Sequence, residues 1–569
     1  MSDEVTKTEA PAHDPGRALL YAAIALAGVI AYANTLPGEF VWDDVSSIVL
    51  HEHVQDPTKA LQLFREDFHA FGRGQGNFYR PLLALSFMVE YALARPQPGM
   101  EVSPTIFHIG NMAWHIAAAL LLFSLLHRLR APLFVAASVA VIYVVHPVHT
   151  EAVAYISGRG DPMAAALMFA ALRCALLEGS LRARIVGAVL SGVFFTMAVL
   201  SKESAAIYPV LLAVVLLLAP TQGGDRPLRE TWRGRLLPFG VALALVIGYG
   251  LVRTTVLQFA TESQPLQTTF FGRLWDALAA LALYFRIVFV PTGLHMERTL
   301  DGVPVWTAYV GLAILAAWIL LIVAALRTRR KRIALGGLWF LVTWLPISGL
   351  FPLNAPMAEH WLYVPLAGML LVFVELFAEA TRPPVLRRMA PPVVYVVVIA
   401  LTALTVDRNL DWRDNETLFR ATLAHNPDST RVHYNLAVTY EVLKQNPAGA
   451  RRHFSRVIEL YEAQKEREGD PSQFWDQEME AHLSLGRIYL DSQQIDRAAR
   501  HFQTLLSIAP TERTKPVLAR AAVGMGRCLF AVGDTEQANR LFEQAVEWDP
   551  SLRGSGPGAA ADSAATQTG

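Results

Sequence analysis

HLSLGRIYLDSQQIDRAARHFQTLLSIAP, residues 482–510, alternates small, aromatic and aliphatic residues at helix-pair spacing. Leu485, Gly486, Tyr489, Ala498, Phe502, Leu505 and Pro510 form the pattern. It returns downstream as Met525, Gly526, Leu529, Ala538, Phe542, Ala545 and Pro550. An earlier copy contains Leu436, Ala437, Tyr440, Ala450 and Phe454, with one extra residue in its turn. The small residues let two helices approach closely, and the aromatics fill the space between neighbouring pairs.

These offsets are those of tetratricopeptide repeats. Gly486 and Gly526 are about 40 residues apart, against about 34 for the repeat, so the excess is expected in the turn between repeats. Segment 412–427, ending in Asn426 and Pro427, reads as the second helix of a further repeat. Three repeats and a half are about the minimum for a stable stack. The Gly-, Ala-, Ser- and Thr-rich residues 553–569 read as a disordered tail.

Upstream the composition changes. Of the 163 residues in 407–569, 42 are charged, about one in four; of the first 406 residues, 56 are, about one in seven. The first density is ordinary for a soluble domain and the second is too low for one. The sequence therefore divides into a polar N-terminus, 1–16, a membrane segment, 17–406, and a repeat segment, 407–552. The whole chain carries 49 basic and 49 acidic residues. This gives no basic excess for a nucleic-acid partner. Two cysteines, Cys174 in a span and Cys528 in a repeat, exclude a disulfide framework.

Apolar runs long enough to cross a bilayer lie at 17–36, 105–126, 131–147, 162–179, 184–200, 204–219, 236–256, 305–326, 333–352, 361–380 and 391–406. A further apolar stretch, 272–291, carries Arg273, Asp276 and Arg286. Basic loops mark the cytoplasmic side. Arg128 with Arg130, Arg182 with Arg184, Arg226 to Arg235, Arg327 to Arg332 and Arg382 to Arg388 share that side only if 272–291 does not cross. The expectation is about 11 spans, with 272–291 interfacial or re-entrant on the outer side. The N-terminus is then cytoplasmic and the repeats are outside. The competing reading has 272–291 as a twelfth crossing. The first run lacks the basic flank and cleavage site of a signal peptide, so it is expected to stay as an anchor.

Charged residues beside spans are functional candidates. Asp43 and Asp44 follow the first span, where a carboxylate can act as general base. Asn77, Phe78, Tyr79, Arg80 and Pro81 open an apolar stretch through Leu93, expected to lie flat on the outer surface and containing Glu90; a guanidinium there suits a phosphate. HPVHTEAVAYISGRGD, residues 146–161, packs His146, His149, Glu151, Arg159 and Asp161 between two spans. Two histidines and a glutamate can bind a metal, but no second Cys/His group has ligand spacing. Hydrogen bonding to a polar substrate is the preferred reading, with no metal ligand assigned. Lys202 and Glu203 occupy a tight turn between spans, and Glu359 and His360 precede another. Together these residues suit a substrate with an apolar tail in the bilayer and a phosphate at its surface, such as a lipid-linked sugar. Transfer to a hydroxyl needs a carboxylate base and cations for the departing phosphate.

FVWDD, YRPL, FHIGNMAWH, HPVHTEAVAYISGRGD, SKE, EHWLYVP and DRNLDWRDNETLFRATLAHNPDSTRVHYNLA occur in this order. In them the chain resembles the transmembrane and tetratricopeptide-repeat-containing family of protein O-mannosyltransferases, from about residue 20 to 550. The resemblance implies an all-α protein: a GT-C-type transmembrane bundle followed by a repeat solenoid. It implies a glycosyltransferase that takes a sugar, mannose or another hexose, from a polyprenyl phosphate and works by direct displacement with inversion. On that resemblance Asp43 or Asp44 is the catalytic base, with the family pattern favouring Asp43. Arg80, Arg159 and Lys202 are candidates for the donor phosphate. His146, His149, Glu151, Asp161, Glu203, Glu359 and His360 are candidates for the sugar and acceptor pocket.

The expected acceptor is a Ser/Thr hydroxyl of an exported protein held by the repeats. No cofactor is implied beyond the lipid-linked donor. The 42 Arg against 7 Lys suggest a GC-rich bacterial genome, hence an inner-membrane enzyme with periplasmic repeats. The competing reading is a non-catalytic scaffold whose repeats gather envelope or secretion partners.

Overall fold

Apolar runs in the first two thirds and amphipathic helix pairs in the last third produce helices throughout a computed structural model of the chain. The structure describes residues 15–69, 78–94, 102–219, 228–255, 257, 269–351, 353, 355–468 and 474–554. Residues 1–14, Asn77, Arg226 and the tail from 555 onward lie outside the described residues. The chain separates into two units, Met1–Asp414 and Asn415–Gly569.

Among the described residues of the first unit seven helices are long and apolar enough to cross a membrane: Gly16–Thr35, Thr105–Arg128, Leu181–Ser201, Leu236–Thr255, Trp306–Arg327, Glu359–Ala380 and Pro384–Trp412. Leu133–Val144 and Pro147–Ala154 meet the same requirement as a pair bent by 49°. The remaining expected spans hold shorter helices, Gly160–Ala175, Tyr208–Leu218 and Lys331–Trp344. Gly160–Ala175 has 16 residues, and at about 1.5 Å per residue it falls short of a bilayer's roughly 30 Å core. Nearly all of it is buried by its neighbours. Irregular backbone at either end is tolerated where protein, not lipid, surrounds it. Lys331–Trp344 and Tyr363–Ala380 cross at Gly336 and Gly368, where a Cβ on either would press on the other's carbonyl oxygen.

The charged apolar stretch forms the helix Phe270–Phe289. It packs along Trp306–Arg327 through Trp275 on Tyr309, Leu278 on Gly311 and Phe285 on Trp318. The sequence offset of these contacts stays nearly constant, so the two successive helices run in the same direction. Successive spans joined on one side of a membrane run in opposite directions. The segment between these helices instead leads back to the end where Phe270 began. Helix and return together add no net crossing, as a re-entrant element would.

The loop after the first helix folds over the helix Pro81–Ala94. Ile48, Val54, Leu63 and Phe68 from the loop pack against Leu83, Phe87 and Met88, with Phe107 and Ile156 beneath. Pro81–Ala94 is thus covered on one face by protein.

The second unit contains Asn415–Leu423, Thr430–Val438, Pro447–Glu468, Asp476–Asp491, Ile495–Leu506, Lys515–Ala531 and Thr535–Trp548. Gly486 faces the Phe502 ring and Gly526 the Phe542 ring, where a Cβ would collide. Ala437, Ala450, Phe454, Ala498, Phe502, Ala538 and Ala545 are buried as the repeat pattern requires. The excess length falls between Leu506 and Lys515, in the turn between pairs.

Candidate functional site

The segments that follow or precede the membrane helices carry the singled-out charges, and side-chain contacts tie them together. Asp44 is fully buried. Its Oδ1 accepts from the backbone N–H of Ser157 at 2.7 Å and from Ser157 Oγ at 2.6 Å; its Oδ2 accepts from Val41 N–H at 3.1 Å. Asp44 therefore fastens the first loop to the turn Ile156–Arg159. Burial pushes its carboxyl up to about 7, against the opposing pull of these donors.

Asp43 has a different environment. It is half-buried, and its Oδ2 accepts from the Tyr155 hydroxyl at 3.1 Å. Its Oδ1 takes no hydrogen bond among the described residues. The neighbouring Trp42 has φ 52°, in the left-handed region that side chains disfavour. In that conformation its indole stacks on the Tyr155 ring at 5.7 Å, and the Trp412 ring stacks on Tyr155 at 5.4 Å.

Of the three expected phosphate cations, Arg80 keeps free donors. Its Nε binds Glu203 Oε2 at 3.0 Å and its guanidinium lies over the Phe78 ring, leaving both Nη atoms without a partner among the described residues. Lys202 Nζ bonds Asp161 Oδ2 at 2.6 Å, using one of its three protons. His69 lies within electrostatic reach of Asp43, Arg80, Asp67 and Glu203.

Arg159 departs from the expectation. It is fully buried. Its Nε donates to Asn111 Oδ1, Nη1 to Ser86 Oγ, and Nη2 to Glu90 Oε2 and the Phe107 carbonyl. Four of its five N–H donors are spent bracing its own turn against the helices Pro81–Ala94 and Thr105–Arg128, and burial keeps the fifth from a surface phosphate.

His146 and His149 also lie inside the core rather than along a pocket wall. His146 Nδ1 accepts from Val148 N–H, which fixes the proton on Nε2, and Nε2 donates to the Val288 carbonyl. His149 is enclosed by the rings of Tyr143, Tyr363 and His115.

Glu151 accepts from the backbone N–H of His360 and pairs with His360 Nδ1 at 2.8 Å, so Nδ1 carries a proton and Nε2 faces outward from a partly exposed ring. Glu359 is fully buried, so it is an internal counter-charge rather than a pocket wall. Its Oε1 accepts from His295 N–H and from Arg298 Nε and Nη2, and Arg408 Nη2 lies 3.7 Å from its Oε2. Arg408 in turn bonds Asp411.

Sequence reasoning passed over Tyr155, Asn111 and Arg298. Tyr155 and Asn111 lie within the quoted motifs, so adjacency to the acidic and basic candidates was an available signal. Arg298 had none, because its partner is 61 positions away. Asn409, from the junction motif, donates to the Ala31 carbonyl and to Asn34 Oδ1, and Asn34 donates to the Val406 carbonyl. The motif therefore joins the ends of the last and first helices of the unit. Among the described residues no group of three or more His, Cys, Asp or Glu side chains is placed to hold a metal ion.

Helical bundle, repeat unit and a buried acid–base cluster together define a polytopic membrane protein with tetratricopeptide repeats. The family model described as "Tetratricopeptide repeat" matches residues 477–549. Along most of its length the chain is a homologue of proteins named protein O-mannosyl-transferases. It is 24% identical to Protein O-mannosyl-transferase TMTC3 of Homo sapiens over 93% of this chain and 60% of the relative. It is 25% identical to Protein O-mannosyl-transferase F38B6.6 of Caenorhabditis elegans over 72% of this chain and 58% of the relative. It is 25% identical to Protein O-mannosyl-transferase TMTC4 of Homo sapiens over 72% and 62%. The chain spans about three fifths of the length of these curated relatives. No solved structure matches it.

Proposed function

We propose that the chain is a membrane glycosyltransferase of GT-C type that transfers a hexose, mannose by the names of its relatives, from a polyprenyl phosphate to a Ser/Thr hydroxyl of an exported protein. The observation that carries this reading is the contrast between the adjacent carboxylates: Asp44 is consumed in holding the loop, while Asp43 keeps one oxygen without a hydrogen bond among the described residues.

In the proposed step Asp43 takes the acceptor hydroxyl proton as that oxygen attacks the anomeric carbon. The bond from that carbon to the phosphate oxygen breaks, and the electron pair leaves with the polyprenyl phosphate. Arg80 and one remaining donor pair of Lys202 offset the charge on the leaving group. Asp161, Glu203, Glu151 and His360 shape the surrounding pocket. No step requires a metal or other cofactor. The repeats recruit the acceptor through a concave groove. The reading places the N-terminus in the cytoplasm and the repeats in the periplasm of a bacterial inner membrane.

The test is transfer by purified protein in lipid nanodiscs from polyprenyl-phosphate mannose to a Ser/Thr-rich peptide, read by intact mass. A gain of one hexose that Asp43→Asn lowers by about 10²–10⁴-fold supports the reading. Full transfer by Asp43→Asn refutes Asp43 as base. No transfer by the wild type, together with partner capture lost only on disrupting the repeats, favours the scaffold.

A further inference from the structure

We propose that Tyr155 is the positioning residue for the transfer reaction, its hydroxyl aiming the Asp43 carboxylate through a donated hydrogen bond while the ring is clamped between Trp42 and Trp412. This rests on the reading of Asp43 as base.

Three observations carry it. The Tyr155 hydroxyl is the donor to Asp43 Oδ2, at 3.1 Å, and leaves the other oxygen open. The ring cannot swing away, because it is flanked by Trp42 at an interplanar angle of 23° and by Trp412 at 27°. The Trp42 backbone accepts an unfavourable left-handed φ to supply one side of that clamp, and such strain concentrates where geometry is functionally required.

The titratable and charged groups around Asp43 are Tyr155, which donates to it, the adjacent Asp44, and His69, whose electrostatics also include Arg80, Asp67 and Glu203. A hydrogen bond donated to a carboxylate favours its charged form. Burial holds the Tyr155 phenol well above its ordinary range, so it remains a donor where the carboxylate works.

The experiment compares wild type, Tyr155→Phe and Asp43→Asn in nanodiscs with polyprenyl-phosphate mannose and the Ser/Thr-rich peptide, across pH 5 to 9. Phenylalanine keeps the stack and removes the hydroxyl. The expected result is a fall in kcat of about tenfold, with KM nearly unchanged. The acid limb of the profile moves up by about one pH unit. A residue that serves only the fold would lower the amount of active protein without moving that limb.

An unchanged profile for Tyr155→Phe alongside an inactive Asp43→Asn overturns the inference and leaves the base in place. Full activity of Asp43→Asn overturns the base. Carboxylate titration by difference infrared, with Asp43→Asn as the blank, decides the hydrogen bond without turnover. The Asp43 band must titrate at higher pH in Tyr155→Phe, and coincident titrations refute the proposal. If Tyr155→Phe does not accumulate, 3-fluorotyrosine at 155 keeps fold and bond with a stronger donor. Then the Asp43 band must titrate at lower pH, and no movement refutes the proposal.

Discussion

Asp43 and Asp44 share a peptide bond and little else. One is a buried fastener and the other keeps an open oxygen, and their substitutions should separate accordingly. Asp44→Asn presents an amide N–H₂ to Val41 N–H, a donor facing a donor, and should cost about 1–3 kcal/mol of stability, seen as a lower Tm in detergent. Asp43→Asn should leave Tm nearly unchanged and remove transfer. The Asp44 carboxyl is raised in the fold, from 3.8 to about 7. Its stabilising contribution is therefore complete below about pH 4 and is lost as pH rises through about 7. Wild-type Tm measured from pH 4 to 8 should carry that decline, and Asp44→Asn should flatten it. The sequence presented the two carboxylates as equivalents. Their difference comes from Ser157 and Tyr155, more than a hundred positions away. Arg159 departs from its expectation for the same reason: a buried guanidinium held by Glu90, Ser86 and Asn111 is spelled no differently from one facing a phosphate.

At the scale of elements, what was local was readable. Gly486, Ala498 and Phe502 are close in the chain and in space, so the repeat pattern alone carries their packing. Apolar length found the spans, but it could not show that Gly160–Ala175 and Lys331–Trp344 are short inner helices screened by others. The equivalent histidine pairs of two repeats give a pH prediction. His433 and His453 meet at 2.9 Å through their Nδ1 atoms, as do His482 and His501 at 3.0 Å. Each bond needs one nitrogen to stay an unprotonated acceptor. Burial lowers His453 to about 4 and His482 to about 3. Their stabilising contribution is present above about pH 6.5 and is lost as pH falls through those values. Circular-dichroism melting of the full chain should show the repeat transition shifting down below pH 6.5, and His482→Phe with His501→Phe should blunt the shift. In the membrane unit, Gly311→Leu should force Trp306–Arg327 off the Leu278 carbonyl and cost about 1–3 kcal/mol. Gly250→Ala, with open space around it, should be neutral or mildly stabilising in the same Tm assay.

For the whole molecule, the parallel run of Phe270–Phe289 beside Trp306–Arg327 fixes the parity of crossings. Deleting 270–305 should leave the repeats on the side they occupy in the wild type, whereas deleting Trp306–Arg327 should move them across. Protease protection of a C-terminal tag in sealed vesicles reads the difference. The charges of 272–291 set this element apart from the apolar runs, but its parallel partner could not be read from charge.

The stack of Trp42, Tyr155 and Trp412 joins the first loop, the central motif and the final turn of the membrane unit. During synthesis the first two exist long before the third. The clamp on Tyr155 closes only when residue 412 has left the ribosome, so a nascent chain ending in the bundle carries Asp43 without the finished support. On the proposed role of Asp43, the order of translation itself withholds chemistry from unfinished protein.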